Sequence, residues 1–129
     1  MERPPIDAEF TITFFYYRDL PRAMRFYEDF FGLTPAIDQG WCKVYRVTEG
    51  AHIGLVDETR GLKKSAVDKP VQFCVRVADV DAWYAYAQSK ELDELSEPFE
   101  IEGLGFRAFV FNDPEGYQIE IQSALPEAS

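Results

Sequence analysis

The sequence predicts an α+β fold: two βαβββ modules whose strands form a curved mixed sheet, a half-barrel around a cavity, with the helices on its outside. Three observations carry this. Two segments offset by 60 residues read alike, each a strand, an aspartate and an amphipathic helix; with room for only two copies, the repeat is a duplicated supersecondary unit rather than a solenoid. Asp113-Pro114-Glu115-Gly116 suits a type I turn, with Asp first, Pro second and Gly fourth. After it, Tyr117, Ile119 and Ile121 alternate with Gln118, Glu120 and Gln122, the period-2 pattern of a half-buried strand.

Module one is expected over about residues 8–58. It opens with a strand over residues 10–17, followed by a helix over about 20–31. Asp19 is a good N-cap, Pro21 is tolerated in the first turn, and Gly32 is a natural stop. Leu20, Ala23, Met24, Tyr27, Phe30 and Phe31 give that helix one apolar stripe. Extended segments follow at 34–38, 41–48 and 52–57. Residues 59–69, charged and carrying Gly61, read as a polar linker.

Module two is expected over about 70–123. Its first strand covers 71–77, Asp79 caps a helix over about 80–90, and extended segments follow at 95–101, 107–112 and 117–122. Gly103-Leu104-Gly105 reads as a hairpin turn before the Arg107 strand.

The chain has 129 residues and is 47% apolar, enough for a single domain over 1–129 whose core needs no disulfide or structural metal. The formal net charge of −10, with no basic stripe to offset it, argues against nucleic acid and anionic membranes as partners. No run approaches the roughly 18 apolar residues of a membrane span, and the first residues do not resemble a signal peptide. Cys42 and Cys74 lack metal-type spacing, so reduced thiols in a cytoplasm are the expectation. Cys74, between Phe73 and Val75, is expected to be a packed thiol. No Ser/His/Asp arrangement, phosphate-cradling glycine loop or nucleotide fingerprint is present.

Three motifs carry a resemblance to a known family: Asp19-Leu20 with Phe26-Tyr27 and Phe31-Gly32-Leu33; the echo Val75-Arg76-Val77-Ala78-Asp79-Val80; and Asp113-Pro114-Glu115-Gly116-Tyr117-Gln118-Ile119-Glu120-Ile121. In this order and spacing they resemble the vicinal oxygen chelate (VOC) superfamily, which includes glyoxalase I, bleomycin-resistance proteins and extradiol dioxygenases. The likeness covers about residues 10–123. It implies a homodimer and a cavity in which a divalent metal is held by one residue from the first strand and one from the last strand of each module. Carried over position by position, that quartet is Ile12, Gly54, Gln72 and Glu120. Two of the four have no donor atom, and a Gln–Glu pair alone is a poor site for Zn²⁺, Ni²⁺ or Fe²⁺.

The expected reading is therefore a small aromatic or apolar ligand in a cavity lined by Ile12, Phe14, Tyr16, Gly54, Gln72, Gln118 and Glu120, with no cofactor. Phe10 belongs to the same strand face, and Trp41 or Lys43 and Phe109 or Phe111 are further lining candidates. Glu120 is the best candidate for a catalytic group; it also reads as a polar pocket wall, or as a solvated strand residue. The alternative is a metal-dependent lyase, isomerase or dioxygenase with a shifted ligand set of His52, Gln72 and Glu120. His52, the one histidine, also reads simply as a half-buried residue at a strand start.

Overall fold

The computed structural model describes residues 2–126. The chain divides into two compact units, with the break between Ser65 and Ala66. The first runs β1 (Thr11–Tyr17), α1 (Leu20–Phe31), β2 (Pro35–Asp38), β3 (Cys42–Thr48) and β4 (Ala51–Asp57). The second runs β5 (Gln72–Arg76), α2 (Val80–Gln88), β6 (Phe99–Glu100), β7 (Phe106–Asn112) and β8 (Gln118–Ala124). Both are βαβββ modules of an α+β fold. Their strands pair as two four-stranded mixed sheets, ordered β1-β4-β3-β2 and β5-β8-β7-β6. In each, the first and last strands run parallel and the rest are antiparallel. A parallel pair needs a long crossover, and the helix with its two following strands supplies it.

Both helices begin where their aspartates cap them. Asp19 Oδ1 accepts from the Arg22 amide at 3.2 Å, and Asp79 Oδ1 from the Ala82 amide at 3.1 Å. Each satisfies a backbone donor that the first turn leaves without a helical partner. The first helix ends at Gly32, whose φ of 71° is left-handed. The second stops two residues short of the expected Lys90, because Ser89 turns its hydroxyl onto the Tyr86 carbonyl at 2.6 Å.

Strand alternation separates two faces in each sheet. In the first unit, Phe15, Tyr17, Tyr45, Ile53 and Leu55 are buried on the side of α1, which contributes Leu20, Ala23, Tyr27 and Phe30. Hydroxyls stitch this layer together: Tyr17 to Tyr27 at 3.4 Å and Tyr45 to Glu28 at 2.8 Å. Burial and then the Glu28 carboxylate push the Tyr45 phenol well above its ordinary range. In the second unit, Phe109, Phe111, Ile119 and Ile121 form the matching layer, and Tyr84 of α2 meets Phe109 edge-on at 5.2 Å. Phe109 and Phe111 are therefore core under the helix, not lining residues of the opposite face.

The turn before β8 forms as its residues require. The Gly116 amide donates to the Asp113 carbonyl at 3.1 Å, and Gly116 takes a φ of 90° that a side chain would disfavour. The expected hairpin at residues 103–105 also forms, with left-handed Gly103 and Gly105. The extended segment expected over 95–101 shrinks to two residues. Ser96 accepts from the Val110 amide through its own hydroxyl at 3.0 Å, and Pro98 has no amide to give the ladder. Among the described residues, no helix is long and apolar enough to cross a membrane.

Candidate functional site

The sheet faces turned away from the helices carry the expected site residues, and the two units treat them in opposite ways. On the second unit, parallel register sets Gln72 opposite Gln118, Cys74 opposite Glu120 and Arg76 opposite Gln122. Each rung is hydrogen-bonded. The Gln72 amide donates to Gln118, Cys74 Sγ approaches Glu120 Oε2 at 3.5 Å, and Arg76 Nε donates to Gln122 Oε1 at 2.5 Å. Gln122 Nε2 then donates to Glu120 Oε2 at 2.6 Å. Arg76, Gln122, Glu120 and Cys74 thus form one connected chain in which the carboxylate is the final acceptor. Polar groups satisfied in this way hold one another in place and offer a ligand their remaining donors and acceptors.

The corresponding rungs of the first unit are Ile12 opposite His52, Phe14 opposite Gly54 and Tyr16 opposite Val56. Gly54 thus holds the place in its ladder that Glu120 holds in the other, and Phe14 the place of Cys74. The missing side chain is not a void. A Cβ at position 54 would stand 2.5 Å from Phe14 Cδ1 and 2.7 Å from Cε1, so the Phe14 ring lies directly over the Gly54 backbone. Phe14 remains 45% exposed. Beside it, Cys42, Val44 and Val56 form a buried apolar cluster against Ile12, Tyr16 and Trp41. At one end the turn after β4 presses Gly61 onto Tyr16 and Val56, and the Arg60 guanidinium sits 5.9 Å above the Trp41 ring. At the other, the Phe10 and His52 rings lie tilted against each other with centroids 4.1 Å apart.

Ile12, Gly54, Gln72 and Glu120 do not make a donor set that fits a divalent metal. Two have no ligating atom, a phenyl ring fills the space above Gly54, and Glu120 already accepts from Gln122 and Cys74. No group of three or more His, Cys, Asp or Glu side chains is placed to hold a metal among the described residues. The shifted set divides between the units, His52 on β4 of the first and Gln72 with Glu120 on the second. His52 is half-buried, and its Nδ1 is buried with no hydrogen-bond partner.

Other lining expectations need correction. Lys43 alternates onto the α1 side, opposite Leu55, and ion-pairs with Asp38. Tyr117 is buried, with the Lys69 ammonium 5.0 Å above its ring. Cys74 is not a packed thiol: Phe73 and Val75 take the core side, leaving Cys74 exposed on the polar face. Sequence reasoning passed over Arg46 as a face residue. The period-2 alternation that placed Gly54 places it too, opposite His52.

The environment of Cys74 makes a testable chemical statement. Partial burial, then the Glu120 charge and hydrogen bond, push its thiol up to about 11. Cys74 is then a poor nucleophile at neutral pH. Iodoacetamide should alkylate it slowly, with a rate still rising above pH 10, and Glu120→Gln should speed the reaction several-fold at pH 8. A rate that levels off near pH 9, or is indifferent to Glu120→Gln, would refute the coupling.

The family model for the Glyoxalase/Bleomycin resistance protein/Dioxygenase superfamily matches residues 10–121. No curated protein matches the chain. Among solved structures, a lactoylglutathione lyase from Agrobacterium tumefaciens is similar with a TM-score of 0.72 at 23% identity, over 94% of this chain and 96% of that one. A glyoxalase/bleomycin resistance protein/dioxygenase from Nocardioides gives 0.76 at 19% identity, over 100% and 89%. A glyoxalase/bleomycin resistance protein from Catenulispora acidiphila gives 0.67 at 19% identity, over 91% and 99%. At these identities the structural likeness speaks for the fold alone.

Proposed function

Because this chain belongs to the Glyoxalase/Bleomycin resistance protein/Dioxygenase superfamily, we propose that it is a member that binds a small aromatic or apolar molecule without a resident metal. The observation that carries this reading is the Phe14 ring lying over Gly54, at the place where the other unit has Glu120. A half-exposed phenyl ring on a backbone with no side chain, beside Ile12, Tyr16 and Val44, is a flat apolar platform for a planar ligand. The hydrogen-bonded rungs of Gln72, Gln118 and Glu120 support a polar binding wall rather than a reacting centre, since Glu120 is already paired. We take the working form to be a cytoplasmic homodimer, a setting with which its two free cysteines agree.

Two measurements test this reading. Protein purified without chelator should contain no stoichiometric divalent ion by elemental analysis; an equimolar ion lost in Glu120→Ala would overturn the proposal in favour of a metal enzyme. A neutral bicyclic probe such as 2-naphthalenemethanol should bind, and Phe14→Ala should weaken it about tenfold, the scale of one lost aromatic contact.

A further inference from the structure

The helix-free face of the first unit is largely apolar and carries a guanidinium at each end, Arg60 over the Trp41 ring and Arg46 beside His52. Resting on the platform reading above, we propose that this face takes a flat aromatic carboxylate, its ring on Phe14 over Gly54 and its carboxylate on Arg46 beside His52. Arg46 lies directly opposite His52 in the β3–β4 ladder, on the face shared by Val44 and Gly54. It is exposed. Lys43 pairs with Asp38, and Arg107 with Asp81 and Glu100; Arg46 is in none of these pairs. No Asp or Glu alternates onto this face from the four strands: Asp38 pairs with Lys43 on the other side, and Asp57 lies a residue out of phase with Val56. In a chain with a net charge of −10, a guanidinium in none of these ion pairs is conspicuous beside Val44 and Gly54.

The spacing suits such a ligand. His52 and Arg46 stand one alternation, roughly 7 Å, along the strands from Gly54 and Val44, where the exposed ring is. An aromatic carboxylate has its charge a few ångströms beyond the ring edge, within reach of an arginine fork. At the opposite end Gly61 packs against Tyr16 and Val56 and the Arg60 guanidinium already lies over the Trp41 ring, so Arg46 is the guanidinium left open to a ligand's charge. A single guanidinium matches a singly charged, planar carboxylate, and the chain's overall negative charge disfavours a polyanion. A cationic ligand would meet Arg46 with no carboxylate beside it. His52, its ring tilted against Phe10, stands at the same end of the face.

Isothermal titration of the full chain with 2-naphthoate, 2-naphthalenemethanol and 2-naphthylmethylamine tests this. The acid should bind about tenfold more tightly than the alcohol, the gain expected of one charge-assisted hydrogen-bonding contact, and the amine most weakly. Arg46→Gln should bring the acid-to-alcohol ratio to about one while leaving the alcohol unchanged, and raising salt should shrink the ratio in the parent protein. Phe14→Ala should weaken acid and alcohol alike. If the alcohol binds and the acid is no better, or if Arg46→Gln leaves their ratio intact, the carboxylate proposal falls and the apolar platform stands. If none of the three probes binds, the platform reading falls and takes this proposal with it.

Discussion

Asp113→Ala should lower stability by about 3 kcal/mol, the largest loss expected from a single polar truncation in this chain. Asp113 is 1% exposed, and its carboxylate faces the backbone of its own turn. Oδ1 accepts from the Glu115 amide at 2.9 Å and from the Tyr117 amide at 3.0 Å, while the Asp113 amide donates to the Tyr117 carbonyl at 2.8 Å. One side chain therefore satisfies two backbone donors where β7 hands over to β8, next to a buried Tyr117. Alanine leaves those donors without their acceptor in a place that water reaches poorly, and each charge-assisted bond is worth roughly 1.5–3 kcal/mol. For a chain of this size, the melting temperature should fall by about 10 °C. Asp113→Asn keeps an oxygen in the same position and should cost about 1 kcal/mol. Equal losses in the two variants would show that shape, rather than the acceptor, holds this turn.

That turn was legible in advance because its chemistry is local: aspartate, proline and glycine each meet a requirement within four residues. The register of the last strands was legible for a different reason. The repeat sets Gly54 against Glu120, and the ladders agree, Phe14 opposite Gly54 and Cys74 opposite Glu120. Sequence reading stumbled where a side chain replaced backbone in the ladder, as Ser96 does beside Val110, and there it read too long a strand. Aromatic content misled it about Phe109 and Phe111, whose side of the sheet follows from parity with Ile119 and Ile121 rather than from their chemistry. The orphaned His52 nitrogen and the ring over Gly54 were out of reach. Both depend on rotamers and cross-strand packing, which periodicity does not encode.

The ring over Gly54 has the second large consequence. Gly54→Val should cost about 2–3 kcal/mol and abolish measurable binding of a neutral naphthyl probe. Its Cβ would fall 2.5 Å from Phe14 Cδ1, closer than two carbons tolerate, and 3.3 Å from Ile12 Cγ2, which a small shift relieves. Backbone in the middle of β4 cannot yield, because Gly54 is paired on both sides, with Phe14 and Val44. Phe14, at 45% exposure, can swing outward. The ring then loses the contact that makes it a platform, and the valine stands where the ligand's face would lie. This mechanism makes a prediction that ordinary overpacking does not. In a Phe14→Ala background the obstruction is gone, so Gly54→Val should cost at least 1 kcal/mol less than in the parent, a coupling measurable by a urea double-mutant cycle. Additive losses would mean that the valine clashes elsewhere and that position 54 is glycine for a reason other than the ring.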